Sequence, residues 1–368
     1  MNRILSSAII LLALNGFLLT ESAAPQDASD WSRPMRLCWR FATDEMSFFP
    51  NFFGAGRNSF LPLADGSLLA IETSSGKVIW RSEFGGSFAA APILSDERIF
   101  LVTRVPFETS ERYILRAVSP QTGLTIFQKD LALKKTEKFF LKNSEKLLYI
   151  FTDSGFVAAF DKTNGSKVFE RDFKLNISAT PLIKENKIFI GSEENKILIL
   201  RADGAGAPET FETEFPVAGG MELADGRLFF GDRIGNIYAY SLSEREIQWK
   251  FRTGAALVDI IAVGENILAA SNDGFVYMLS QKSGNRVWKQ RLAGRFIGKI
   301  LLNHRFLLVQ TLDGDTLPVI SAEKGKTVNN IRLLPDSYAI NGAAGDETMI
   351  VIPTNRGLQA YANICAGQ

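Results

Sequence analysis

The sequence predicts an all-β fold, an eight-bladed β-propeller built from four-stranded antiparallel blades. Three observations predict it: a phrase that repeats about every forty residues, an alternation of apolar and polar residues within each copy, and chain ends that complement each other. Alternation with a period of two is typical of strands, and regular repeats of short strands are typical of propellers. Closing such an array into a ring removes the exposed sheet edges at its two ends.

The repeated phrase is an alternating strand, a short turn with glycine, and a strand that carries an aromatic residue. Successive copies are 38 to 47 residues apart, and we expect their aromatic residues to pack between neighbouring blades. The copies end at Trp80, Phe127, Phe169, Phe211, Trp249, Trp288 and Asn329. A small residue recurs in the third strand, where it is expected to let blades approach closely. These small residues are Ala70, Ala117, Ala159, Ala239 and Ala360.

The two ends of the chain together supply the eighth blade. Trp39 precedes Trp80 by 41 residues, so the N-terminal strand is predicted to complete the last blade, which otherwise lacks its fourth strand. The same alignment places Cys38 and Cys365 on either side of the turn that this divided blade cannot have. Residues placed in this way across a hairpin are within disulfide reach. We expect a Cys38–Cys365 disulfide, and two free thiols are the alternative.

Residues 1–24 are typical of a secretory signal peptide, because one basic residue precedes a short apolar stretch. A retained N-terminal anchor is the alternative. We expect a linker at 25–35 and a single propeller domain at 36–368. Export predicts a periplasmic or otherwise extracytoplasmic protein, peripheral to a membrane and without an integral span once the leader is removed. An oxidising compartment also suits the expected disulfide.

The composition argues against catalysis and against nucleic-acid binding. A single histidine, His304, and two cysteines leave little material for a His-based triad or a zinc cluster, and the net charge is only +1. His304 falls in a turn between strands, and Asp313 and Asp315 fall where other copies have hairpin turns. We therefore predict no catalytic, metal-binding or cofactor-binding residue, and no cofactor.

Two irregularities in the repeats are the candidate contact surfaces. Blade two contains extra residues at 105–112, and blade one opens with a cluster of aromatic residues at 48–53. Loops on a rigid scaffold and exposed apolar patches commonly serve recognition. Alternatively, the rings of the aromatic cluster pack against neighbouring blades. The predicted contact residues are Pro106, Phe107, Glu108, Arg112, Phe49 and Phe52.

The repeated phrase resembles the pyrroloquinoline-quinone (PQQ) repeat over nearly all of residues 36–365. Three segments carry the resemblance most closely: 69–80, 157–169 and 276–288. Families with this repeat form eight-bladed propellers. One branch, the quinoprotein dehydrogenases, holds PQQ and calcium in its funnel, whereas the BamB branch has no cofactor and scaffolds barrel insertion in the outer membrane.

The chain resembles the BamB branch more closely in length and export, and it lacks the adjacent cysteines that dehydrogenases often carry. It departs from that branch because no cysteine follows the leader for lipid attachment. The resemblance implies a monomeric, non-catalytic scaffold that contacts envelope proteins, with the outer-membrane barrel assembly machinery as the expected partner. The alternatives are a small PQQ-dependent oxidoreductase and a propeller that binds a glycan or peptide.

Overall fold

The fold comes from a computed structural model that describes residues 30–43, 52–108, 110–133, 138–303, 305–312, 314–340, 343–345 and 348–365. In this part of the chain every regular element is a β-strand, and the strands form eight antiparallel sheets. No helix in it has the length and apolar character needed to cross a membrane. The eight sheets are the blades of a propeller, which confirms the predicted fold class.

The first half of the chain forms the N-terminal strand and blades one to four, with blade two carrying one extra short strand. The strands are β1 (Arg36–Ala42); β2 (Phe53–Ala55), β3 (Asn58–Pro62), β4 (Ser67–Glu72) and β5 (Val78–Glu83) in blade one; β6 (Ser87–Phe88), β7 (Ile93–Ser95), β8 (Arg98–Phe107), β9 (Ser110–Val118) and β10 (Thr125–Leu131) in blade two; β11 (Phe139–Asn143), β12 (Leu147–Thr152), β13 (Phe156–Asp161) and β14 (Lys167–Asp172) in blade three; and β15 (Leu182–Lys184), β16 (Lys187–Gly191), β17 (Lys196–Arg201) and β18 (Glu209–Glu212) in blade four.

The second half continues with blades five to eight in the same order. The strands are β19 (Val217–Ala224), β20 (Arg227–Asp232), β21 (Asn236–Ser241) and β22 (Glu246–Arg252) in blade five; β23 (Leu257–Val263), β24 (Asn266–Ser271), β25 (Phe275–Ser280) and β26 (Arg286–Arg291) in blade six; β27 (Phe296–Asn303), β28 (Phe306–Thr311), β29 (Thr316–Ser321) and β30 (Thr327–Arg332) in blade seven; and β31 (Ala344–Gly345), β32 (Met349–Thr354) and β33 (Gly357–Ala362) in blade eight.

The antiparallel order of strands gives the ring two distinct faces. The upper face carries the turns between second and third strands together with the connections from blade to blade. The lower face carries the turns between first and second strands and those between third and fourth strands. The middle strands are the most buried, because alternate side chains of each blade pack against the blades on either side.

The ring closes where β1 pairs with β33, in a register that places Trp39 opposite Ala360. The same register recurs in blade one, where Trp80 lies opposite Ala70. Cys38 and Cys365 form a disulfide with their Cα atoms 5.3 Å apart. The N-terminal strand therefore completes the last blade, and the predicted disulfide bridges the position of the missing turn.

In six of the blades the repeated aromatic residue of the fourth strand packs over a glycine in the turn of the next blade, which agrees with the predicted packing between blades. Trp249 shows the arrangement: its indole Nε1 donates a hydrogen bond to the backbone oxygen of Gln281 at 2.9 Å, and its ring lies over Gly284. A Cβ added at Gly284 would lie 2.6 Å from the Trp249 ring, and Gly284 has a φ of +68°. Glycine is therefore required here for both its left-handed backbone and its missing side chain. The small residues Ala70, Ala117, Ala159, Ala239 and Ala360 are fully buried beside these rings.

Candidate interaction surface

Blade two departs from the other blades because its second and third strands form a long hairpin. β8 has ten residues and β9 has nine, whereas the other second strands of the described chain have five or six. Pairing continues to the tip, where Pro106 lies opposite Glu111 and Phe107 opposite Ser110. The extra residues were expected to form a loop, but they extend two paired strands and lift the tip above the upper face.

The tip of this hairpin, residues 105–112, keeps its shape through local contacts. Glu108 adopts a left-handed backbone with a φ of +50°, which allows the chain to reverse within a short turn. The Ser110 hydroxyl donates a hydrogen bond to the backbone oxygen of Phe107 at 3.1 Å. Pro106 removes one backbone donor from the exposed edge, which discourages the addition of an unwanted strand.

Phe107 and Arg112 form the most prominent feature of the tip. Phe107 is 45% exposed, and the guanidinium carbon of Arg112 lies 5.0 Å from the centre of its ring. Arg112 also forms an ion pair with Asp130 of β10, with nitrogen and oxygen 2.6 Å apart. Asp130 thus holds the guanidinium over the ring, and the two residues present a flat, half-apolar surface of the kind enriched at protein interfaces.

The base of the hairpin contains an ion pair between its two strands and a hydrogen bond within β9. Arg104 on β8 lies 3.7 Å from the Glu111 carboxylate on β9, and the Tyr113 hydroxyl donates to the same carboxylate at 3.1 Å. The Arg104 guanidinium also lies 5.8 Å from the centre of the Tyr113 ring. These contacts join the two strands below the tip, so the tip stands on a rigid stem.

The aromatic cluster of blade one does not provide a second contact surface within the described residues. Phe52 is only 4% exposed and packs between blades eight and one, against Leu61 and Leu358 among others. The structure therefore corrects the expectation that Phe52 is a contact residue and assigns it to the core. Phe49 lies outside the described residues, as do His304 and Asp313.

A groove of about 230 Å³ adjoins the hairpin and was not predicted from the sequence. It lies between β10 of blade two and the outer half of blade three, and its apolar wall includes Leu131, Leu133 and Phe156. Leu131 pairs with Tyr113 at the base of the hairpin, so the groove and the hairpin are continuous. Blade two carries Phe127 on its fourth strand, as blades three and four carry Phe169 and Phe211, so no sequence signal at this position singles out the junction.

The axial channel carries charged residues on its inner strands. Burial, together with the charge of Lys299 on β27, lowers the pKa of Lys142 on β11 to about 8, although Asp259 on β23 opposes the shift. Burial raises the pKa of Asp259, although this carboxylate accepts a hydrogen bond from the backbone N–H of Ile300 at 2.9 Å. Lys142 and Lys299 belong to opposite blades, so their interaction could not be predicted from their positions in the sequence.

The described residues offer neither an acidic cluster nor a free thiol to the calcium and quinone of the dehydrogenase branch. They contain no group of three or more His, Cys, Asp or Glu side chains that could hold a metal ion. Both cysteines form the closing disulfide, so neither is available beside a quinone.

Comparison with known proteins extends these observations. The family described as outer membrane protein assembly factor BamB matches residues 36–251 and 234–330. No curated protein sequence matches the chain.

Two solved structures share the fold. The crystal structure of BamB from Moraxella catarrhalis is 13% identical, with a TM-score of 0.70, and the match covers 89% of this chain and all of the other. The computationally designed protein Ika8 is 9% identical, with a TM-score of 0.74 and the same coverage. Because the designed protein fits as well as the natural one, these structural matches establish the fold alone.

Proposed function

Because the chain belongs to the BamB family of PQQ-repeat propellers, we propose that it is a non-catalytic scaffold of the cell envelope. It acts through protein contacts, and its expected partner is the machinery that assembles β-barrels in the outer membrane. Membership of the family supports this role. The observation that carries the proposal is the hairpin of blade two, which adds an exposed aromatic residue and a stacked arginine to an otherwise regular ring.

The contact surface that we propose consists of the hairpin tip, residues 105–112. Phe107 supplies apolar area, and Arg112 supplies a planar cation whose position is fixed by Asp130. Aromatic residues and arginine contribute most to binding when their positions are fixed before the partner arrives, because little side-chain entropy is then lost. Glu108 adds a negative charge at the turn, so the tip suits a partner with an apolar pocket and charges of both signs at its rim.

Recovery of partners from cells tests this proposal. The chain carries a C-terminal tag, intact cells are crosslinked, the envelope is solubilised in mild detergent, and proteins recovered with the chain are identified. Phe107→Ser is compared with Val287→Ser, because Val287 is 54% exposed but lies on the fourth strand of blade six. We expect components of the barrel-assembly machinery with the wild type and with Val287→Ser, and a loss of at least about tenfold with Phe107→Ser, as for a hot-spot residue.

Equal recovery from both variants would contradict the role of the hairpin, and absence of the machinery from the wild type would contradict the proposed partner. The oxidoreductase alternative makes a different prediction. PQQ with calcium should raise the melting temperature if the native chain binds them, because a ligand of the folded state stabilises it. The scaffold proposal predicts no change.

A further inference from the structure

The segment that precedes β1, residues 30–35, packs against the propeller at the junction between blades seven and eight. Trp31 is 1% exposed and belongs to the apolar cluster shared by these blades, together with Val319 and Ile331 of blade seven and Ile350 and Tyr361 of blade eight. This segment, called the strap below, was expected to be part of a linker. Its tryptophan is instead among the largest fully buried side chains of the described chain.

The strap fills a gap in the pattern of aromatic residues. Asn329 occupies the fourth-strand position that holds tryptophan in blades five and six, opposite Val319. The Asn329 amide donates hydrogen bonds to the backbone oxygens of Trp31 at 3.0 Å and Arg33 at 2.6 Å. Blade seven thus lacks its own aromatic residue at this place and holds the strap by its backbone.

A second amide fixes the strap from blade eight. Asn363, just beyond β33, donates to the backbone oxygens of Arg33 at 3.1 Å and Pro34 at 3.3 Å. Within the strap, the Ser32 hydroxyl and backbone N–H both donate to the Asp30 carboxylate, at 2.5 and 3.1 Å. The strap is therefore tied to both blades and to itself.

We infer that the strap is a second, non-covalent closure of the ring, which acts in parallel with the Cys38–Cys365 disulfide. Both tethers hold the same end of β1, since the strap ends at residue 35 and the disulfide starts from Cys38. Either one keeps β1 at a high effective concentration beside β33, so loss of one has little effect on closure. Loss of both frees this end of β1 from its partner strand, and re-pairing must then overcome the conformational entropy of ordering the freed segment again.

Hydrogen exchange of the backbone amides of β1 tests this inference on the full chain. The variants are Trp31→Ala, the pair Cys38→Ala and Cys365→Ala, and all three changes together. We expect Trp31→Ala alone, or the cysteine pair alone, to raise the exchange rate of the β1 amides by about tenfold or less. The combined variant should raise this rate at least about tenfold more than the product of the two separate factors. Trp288→Ala combined with the cysteine pair is the matched control, because Trp288 packs between blades without tethering β1. For that combination we expect the simple product.

Two further variants keep the test decisive where Trp31→Ala folds poorly. Trp31→Phe should retain the closure, because the buried indole Nε1 of Trp31 has no hydrogen-bond partner to lose. Asn329→Ala removes the two hydrogen bonds to the strap without creating a large cavity, and it should show the same excess over the product when joined with the cysteine changes. The inference would be overturned if, for both Trp31→Ala and Asn329→Ala, the exchange rate of β1 in combination with the cysteine changes rose only by the product of the separate factors, as in the Trp288 control.

Discussion

Blade six and blade two show how one repeat serves two purposes. Blade six follows the repeat closely: β24 and β25 have six residues each, and Trp288 donates to the backbone oxygen of Ala322 in the next blade at 2.9 Å. Blade two keeps the same four-stranded plan but extends its middle hairpin and replaces tryptophan with Phe127. The comparison teaches that the repeat supplies rigidity, whereas departures from it supply surfaces that a partner can recognise.

The largest expected effect comes from breaking the regular junction at blade six. Trp288→Ala should lower the free energy of unfolding by about 2–4 kcal/mol, because it removes a large ring between two blades. Trp288→Phe should cost about 1 kcal/mol, since the ring is largely retained and the hydrogen bond to Ala322 is lost. Urea denaturation of both variants measures the difference. Equal costs would mean that the ring contributes no more than its hydrogen bond.

The second largest loss of stability is expected for one of two glycines in blade six. Gly284→Ala should lower the free energy of unfolding by about 2 kcal/mol or more, because the added Cβ meets the Trp249 ring and the backbone φ is +68°. Gly264→Ala is the matched control: its φ is +55°, but nothing lies within 4 Å of the added Cβ. It should cost only about 1 kcal/mol, the strain of a left-handed alanine. Similar losses of stability for both variants would argue against the close packing of ring on glycine.

Lys142 in the axial channel should make the stability of the fold depend on pH. The pKa of Lys142 is about 8 in the folded protein and about 10.5 when unfolded, so the unfolded chain binds more protons between these values. Stability should therefore rise with pH in this window, by at most about 1.4 kcal/mol per pH unit for one proton. Lys142→Met should flatten the rise. Thermal unfolding between pH 7.5 and 9.5 measures it, below the range in which buried tyrosines titrate, and a flat wild-type profile would contradict the prediction.

The smallest effect on stability is expected at the hairpin of blade two. Arg112→Ala and Phe107→Ser should each change the free energy of unfolding by about 0.5 kcal/mol or less, because both side chains are exposed and make only local contacts. Chemical denaturation checks the stability, and partner recovery checks binding. A loss of several kcal/mol would show that the hairpin is part of the framework and would remove the contrast with blade six.

The fold could be predicted from the sequence because the same pattern of strands and turns recurs in each blade. The Trp249 ring lies over Gly284 in the same way as the Trp39 ring lies over Gly76, so the structure of one blade predicts that of the others. The closing disulfide could be predicted for the same reason, since Cys38 and Cys365 align with positions whose geometry a complete blade defines.

Features outside the repeat could not be predicted in this way. Trp31 lies before the first unit, and its burial depends on Asn329, nearly three hundred residues away. Phe52 was expected to make contacts because the sequence does not show which ring of an aromatic cluster faces a neighbouring blade. The interaction of Lys142 with Lys299 depends on the ring bringing opposite blades together.

Site-specific photo-crosslinking in living cells tests the central claim most directly. A photoreactive phenylalanine analogue is placed at residue 107 of the hairpin, and the same analogue at residue 287 of blade six serves as the exposed control. The scaffold account predicts one dominant crosslink from residue 107, to a component of the barrel-assembly machinery, and none of comparable yield from residue 287. No partner at residue 107, or the same partners at both positions, would contradict it.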